Sequence, residues 1–202
     1  MNWIKNVDHI TYACVKGMIE KWAWYHIEVE GGRLVERIDD ISPNSPDSSM
    51  KLWCIAYNTF GIALVEGIDR AKKSQVTLFT EKHGDHGIQH VAYNTEDLDR
   101  FIERLKKYSC QLRGDVLVRN DGFGTVKQVF TKGYDCMQPV EMSFSEYVER
   151  AGFKTDKISF SPQVGKGFYQ QIEEAENRED KERFSDFLSM PADWQPPAVE
   201  PM

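Results

Sequence analysis

The chain has 202 residues, with 25 Lys plus Arg against 32 Asp plus Glu for a formal net charge of −7, so it offers no broad basic face to nucleic acid or an anionic membrane. Apolar residues at 41% and aromatics at 12% describe a core-forming chain rather than a disordered one, and no apolar run approaches the roughly 18 residues of a membrane span. The N-terminal stretch MNWIKNVDHITYA enters a strand pattern without a signal-peptide layout, and Cys14, Cys54, Cys110 and Cys136 are scattered without C-x-x-C, which predicts reduced thiols and a cytoplasmic protein.

In chain order, the first strand-like run carries Asp8-His9-Ile10-Thr11-Tyr12. A helix is predicted over 17–29, with Met18, Trp22, Tyr25 and Val29 at helical spacing. Strands follow at 33–38, 50–58 and 61–66, the first two separated by a polar loop at 42–47. The same sequence of elements then recurs. Gln89-His90-Val91-Ala92-Tyr93 repeats the first strand, and a helix over 96–108 places Leu98, Phe101, Ile102 and Leu105 on one stripe with Thr95 as N-cap. Strands at 115–119, 124–131 and 137–144 complete the second copy.

Both final strands carry Val-Glu, at Val65-Glu66 and Val140-Glu141. The unit is therefore β-α-β-β-β used twice, an α+β architecture in which two modules (5–68 and 87–146) pack as twins within one domain over 1–150. Residues 151–188 read as a charged helical region. The proline-rich segment 189–202 reads as an extended or disordered tail.

Two histidines on equivalent strands, with a carboxylate on a last strand, fit the 2-His-1-carboxylate triad of non-heme Fe(II). His9, His90 and Glu141 are the ligands this pattern selects. Two neutral imidazoles and one carboxylate leave a divalent ion one positive charge and open positions for substrate and dioxygen. A single strand histidine is more often a hydrogen-bonded core residue than a ligand; the correlated placement in a repeat raises the pair above that default. Glu66 is either a neighbour of the ligands or a fourth ligand, and four protein ligands would favour Lewis-acid epimerase, isomerase or lyase chemistry with Co, Ni, Zn or Mg.

His83, His86 and His90 form a competing run that zinc could take, but Gly84 and Gly87 predict a loop there, with His83 and His86 at its surface. His26 belongs to the first helix, either facing solvent or bridging to the core. Neither Gly122-Phe123-Gly124 nor Gly165-Lys166-Gly167 matches a dinucleotide or P-loop spacing, and no serine elbow is present.

With these residues in place, the duplicated module and its His, His and Glu resemble the vicinal oxygen chelate superfamily. Several segments further resemble the catalytic C-terminal half of 4-hydroxyphenylpyruvate dioxygenase. They are Asp8-His9-Ile10-Thr11, Lys73-Ser74-Gln75, Gly87-Ile88-Gln89-His90-Val91-Ala92, Gln128-Val129-Phe130-Thr131-Lys132, Val140-Glu141 with Glu149-Arg150, and Gly165-Lys166-Gly167-Phe168-Tyr169. The resemblance implies a half-barrel cup with a C-terminal helix gating it, and Fe(II) on His9, His90 and Glu141. It also implies that Gln75, Gln89, Gln128, Phe130 and Phe168 contact substrate.

The departures are as informative. Val65-Glu66-Gly67 stands where the family has Asn-Glu-Pro. Pro139 stands two positions before Glu141, where the family has an aromatic, and Val164 replaces the phenylalanine before Gly165. Two lost ring contacts, at roughly 0.5–1.5 kcal/mol each, weaken the hold on a phenol ring. The expectation is thus an Fe(II) dioxygenase for a small chelating acid, most simply a 2-oxo acid other than 4-hydroxyphenylpyruvate, with O2 as co-substrate. A glyoxalase-type metal-dependent epimerase, isomerase or lyase is the alternative, and a protein that only binds a chelating ligand is a third. The exposed edges of one module pair leave room for a homodimer.

Overall fold

A computed structural model of the chain describes residues 3–120, 125–133, 143–151 and 191–199. Its strands are β1 (Ile4–Cys14), β2 (Arg33–Ile38), β3 (Ser48–Ala56), β4 (Gly61–Asp69), β5 (Gly87–Thr95), β6 (Leu112–Asn120), β7 (Thr125–Thr131) and β8 (Phe144–Ala151). The helices are α1 (Ile19–Trp24), α2 (Gln75–His83) and α3 (Leu98–Lys107). All eight strands join one sheet in the order β2-β3-β4-β1-β5-β8-β7-β6, curled as a half-barrel.

The pairing explains the twin modules. β1 and β5 run antiparallel at the centre, and each is flanked by the parallel last strand of its own unit, β4 or β8. The outer strands then pair antiparallel, β4 with β3 with β2 and β8 with β7 with β6. A unit with one open edge and one uncovered face gains a continuous ladder by pairing with its copy.

Strand alternation sorts the core into two layers. Ala13, Leu52, Cys54, Ala63 and Val65 line the inner face of the first module. Cys14, Trp53, Ile55, Ile62 and Leu64 face outward, where Ile19 and Ala23 of α1 cover them. Because both faces are covered, β3 and β4 are apolar almost throughout, which is why they read as continuous runs rather than alternating ones. On the second module Leu98 and Ile102 of α3 pack on Val129 in the same way. Each large aliphatic side chain so buried contributes about 1.5–3 kcal/mol.

Several expected elements differ in extent. The helix expected over 17–29 is α-helical only to Trp24 and continues as a π-helical turn over Tyr25–Val29. That wider turn changes the phase of the stripe, so Ile19, Ala23 and His26 are buried while Val29 is 57% exposed. Thr95 is not the cap of α3. It ends β5, where its hydroxyl donates to the Val148 carbonyl, and Asp97 caps the helix by accepting from Arg100 N at 3.0 Å.

α2 was not anticipated, because Ser74 capping and five buried residues make a helix of a short segment without strong amphipathic periodicity. It lies close to β4, where a β-carbon at Gly67 would collide with the Thr77 side chain. The last strand of the second module is Phe144–Ala151 rather than 137–144, of which 137–142 lie outside the described residues. The segment 151–188, expected from sequence to be helical, lies outside them too, apart from the end of β8. Residues 191–199 contain neither helix nor strand, and Trp194 packs on the outer layer and donates to Glu28 Oε1 at 3.0 Å. No helix among the described residues is long and apolar enough to cross a membrane.

Candidate metal centre

His9 on β1 and His90 on β5 lie on adjacent central strands, with Thr11 paired to His90 across the ladder. β8 runs parallel to β5 on the other side, in a register that sets Ala92 beside Glu146. The Glu146 carboxylate thereby reaches both rings: Oε2 lies 3.3 Å from His9 Nε2 and 3.4 Å from His90 Nε2. All three side chains are buried, and their donor atoms lie within 4.8 Å of one another.

The surroundings fix the orientation of these groups. Asp8 Oδ1 lies 2.9 Å from His9 Nδ1, and Arg150 grips the same carboxylate through Nε at 2.7 Å and a terminal nitrogen at 3.0 Å. An acceptor on Nδ1 holds the proton there and turns Nε2 toward Glu146, as a ligating imidazole requires. The Thr11 hydroxyl shares a 2.9 Å hydrogen bond with His90 Nε2. Phe144 stacks on the His90 ring at 4.8 Å, Phe130 stands edge-on to Phe144, and the Arg113 guanidinium lies 5.0 Å above the Phe144 ring.

Electrostatics without an ion are polarised. Burial alone would lower the His9 pKa, but the Glu146 and Asp8 carboxylates outweigh it and raise it to about 9. For His90 burial wins, aided by the nearby positive charges of His9 and Arg113, and the pKa falls to about 4. Burial opposes ionisation of Glu146, yet the His9 charge and the proximity of both imidazoles bring it down to about 2. Asp8 is held well below the usual carboxylate range, because Arg150 and His9 overcome its burial.

The residues fit a divalent cation. Glu146 Oε2 is buried without a properly directed hydrogen bond, although two imidazole nitrogens flank it. A buried carboxylate oxygen in that position is costly unless an ion takes it. Two imidazoles and one carboxylate form the donor set of the non-heme iron triad.

His9 and His90 are brought together. Glu141 lies outside the described residues, and Glu146, which no repeat pattern marks, supplies the carboxylate that meets them. Glu66 is elsewhere: it accepts from the backbone N–H groups of Gly17 and Ile19 and pairs with Lys51 at 2.7 Å. Its counterpart is Glu149, which accepts from Leu98 N at the start of α3 at 2.7 Å. The twin Val-Glu pairs are thus Val65-Glu66 and Val148-Glu149, each anchoring the helix of its own module.

Spacing carried that signal. Glu66 follows His9 by 57 residues and Glu149 follows His90 by 59, whereas Glu141 follows His90 by only 51. In the register of the first module, Ala63 stands where Glu146 stands in the second, so the repeat holds no copy of the ligand.

Gln75 and Gln89 meet in a 3.0 Å hydrogen bond, and Gln128 and Phe130 are buried on β7, where Phe130 pairs with Glu146. Among the described residues, Gln75 Nε2, Gln89 Oε1 and Gln128 Nε2 are buried polar atoms without partners. Val164 and Phe168 lie outside the described residues. Relative to Glu146, the residue two positions earlier is Phe144, not Pro139, so an aromatic does occupy that position.

The competing histidines also differ from expectation. His83 ends α2 and packs against Phe79 instead of lying in a loop. His86 does lie in the turn, but its ring is inserted between Trp22 and Tyr12 and bonds to a buried His26.

No protein-family model matches the chain. A protein of Caenorhabditis elegans is 25% identical over 210 residues, covering 88% of this chain and 55% of its own length. A mouse 4-hydroxyphenylpyruvate dioxygenase-like protein is 27% identical over 124 residues, covering 54% of this chain and 33% of its own. The chain therefore spans about half or less of the curated relatives it matches.

Among solved structures, a variant of 4-hydroxymandelate synthase from Streptomyces coelicolor superposes with a TM-score of 0.66 at 16% identity, covering 85% of this chain and 54% of its own. Methylmalonyl-CoA epimerase from Mycobacterium tuberculosis superposes with a TM-score of 0.51 at 22% identity, covering 75% and 91%. The paired β-α-β-β-β modules of this chain therefore have the vicinal oxygen chelate fold, shared with a synthase and an epimerase and accompanied by a sequence likeness to a 4-hydroxyphenylpyruvate dioxygenase-like protein.

Proposed function

We propose that the protein is a cytoplasmic non-heme Fe(II) dioxygenase acting on a small chelating 2-oxo acid, with His9, His90 and Glu146 as the ligands. The observation that carries this reading is the buried convergence of His9 Nε2, His90 Nε2 and Glu146 Oε2. Fe(II) held by these three side chains would supply dioxygen activation. The chain's own residues then bind and shield the substrate.

The uncompensated amide atoms of Gln75, Gln89 and Gln128 are neutral hydrogen-bonding groups for a polar acid, and burial makes such bonds more selective than they would be in water. Phe130 and Phe144 form an apolar wall beside His90 that would exclude water from the reaction. Phe144 restores one of the two ring positions whose loss argued against a phenolic substrate. 4-Hydroxyphenylpyruvate therefore belongs among the acids to be tried.

The four-ligand alternative draws no support from Glu66, whose carboxylate is committed to Gly17, Ile19 and Lys51. Metal analysis of anaerobically purified protein, paired with oxygen uptake across a panel of 2-oxo acids, tests the reading. Iron-dependent uptake stimulated by one of them is expected. Anaerobic, oxygen-independent turnover of a chelating acid would replace the proposal with epimerase or isomerase chemistry.

A further inference from the structure

A second histidine cluster lies on the opposite face of β1. Thr11 reaches inward to His90, so its neighbour Tyr12 projects outward, into the layer under α1. There Tyr12 stacks on the His86 ring at 4.2 Å and 5°, while Trp22 covers the other side at 3.6 Å and 12°. The two aromatic faces leave the edge of the imidazole as its working part. His86 Nε2 points at His26 Nε2, 2.9 Å away.

Both partners are deliberately aimed. His26 is buried, and its Nδ1 lies 2.7 Å from Glu30 Oε2, an oxygen that also accepts a hydrogen bond from the Tyr57 hydroxyl at 2.5 Å. That carboxylate places the His26 proton on Nδ1 and leaves a lone pair on Nε2. His86 holds its position at a backbone φ of +58°, in the left-handed region that non-glycine residues rarely adopt. Asp85 secures the strained turn by accepting from Val15 N at 2.8 Å and from Trp22 Nε1 at 2.7 Å.

We propose that His26 and His86 form a second metal site, a bis-imidazole chelate for a nitrogen-preferring divalent transition metal, independent of the His9–His90–Glu146 centre. Two metal–nitrogen bonds of about 2.05 Å at a right angle span about 2.9 Å, the separation observed. The Glu30–His26 pair is the carboxylate–imidazole support that orients ligating histidines. Burial lowers the pKa of both histidines, so both rings stay neutral and keep a lone pair available at physiological pH. His86 is half-buried and His26 is buried. Nitrogen donors without a carboxylate in direct contact with the ion select Cu(II), Ni(II) or Zn(II) over Mg(II) or Ca(II). The competing arrangement is a plain N–H···N hydrogen bond between two neutral rings, which would bind no ion.

Calorimetric titration of the metal-free full chain with NiCl2 separates the two. His86→Asn removes Nε2 while asparagine still tolerates the left-handed turn, and His26→Gln removes the partner. Each variant should bind one equivalent of Ni(II) fewer than the unmodified chain, with its circular dichroism unchanged. Glu146→Ala should lose the other equivalent and keep this one. Cu(II) added to Glu146→Ala should give an electron paramagnetic resonance signal with nitrogen coupling that disappears on adding His86→Asn. Equal stoichiometry in His86→Asn and the unmodified chain, or a Cu(II) signal unaffected by that substitution, would overturn the proposal.

Discussion

Glu146 is the residue on which the candidate centre turns. Its carboxylate is the only group that places a negative charge against both His9 Nε2 and His90 Nε2 among the described residues. Glu146→Ala should abolish high-affinity binding of Fe(II) or a Co(II) surrogate at this centre, while Glu141→Ala should retain it; equilibrium dialysis of both variants checks the assignment. Asp8 acts one bond further out. Asp8→Asn takes a full negative charge off His9 Nδ1 and should weaken metal binding by roughly 10–100-fold without unfolding the chain, which a calorimetric titration reads directly. An affinity unchanged by Asp8→Asn would mean that packing alone orients the His9 ring.

At the scale of elements, the repeat is legible but its details are not. Leu98, Phe101, Ile102 and Leu105 are all buried on α3, as their spacing predicts, because an amphipathic helix on a sheet leaves a plain periodic trace. α1 leaves a blurred one, since the π-helical turn at Tyr25–Val29 shifts the phase midway. Glu66 and Glu149 show the same division. Both are helix anchors, and Glu66 invites a reading as chemistry, since a buried glutamate beside valine looks the same whether it meets an ion or a helix N-terminus. Glu66→Gln should lower unfolding free energy by about 2 kcal/mol, the scale of a hydrogen bond to a charged group, and leave metal stoichiometry unchanged. Urea denaturation with a parallel metal titration measures both. A lost metal equivalent would return Glu66 to the centre.

For the whole molecule, the half-barrel sets which groups reach solvent. Cys14 and Cys54 lie in opposite layers of the first module, and burial pushes both thiols well above their ordinary pKa. Cys110 is exposed at the end of the turn after α3. Since the thiolate is the reactive form, iodoacetamide at pH 8 should label Cys110 in the native protein and reach Cys14 and Cys54 only after denaturation. Peptide mass mapping distinguishes this from a loosely packed first module, in which all three would react together.

The sequence by itself determined the duplicated β-α-β-β-β architecture and the two histidines, because side-chain period and the repeat are local properties of the chain. The family resemblance singled out Gln75, Gln89, Gln128 and Phe130, and the fold buries all four. Only the tertiary structure decided which carboxylate joins the histidines. That choice depends on the parallel register of β8 against β5, which aligns Ala92 with Glu146 across a separation of 54 residues. The first module carries alanine at the matching place, so no internal copy could announce it. The pairing of His26 with His86 has the same origin: sixty residues of chain separate them, and only the turn before β5 folding back beneath α1 brings their nitrogens together.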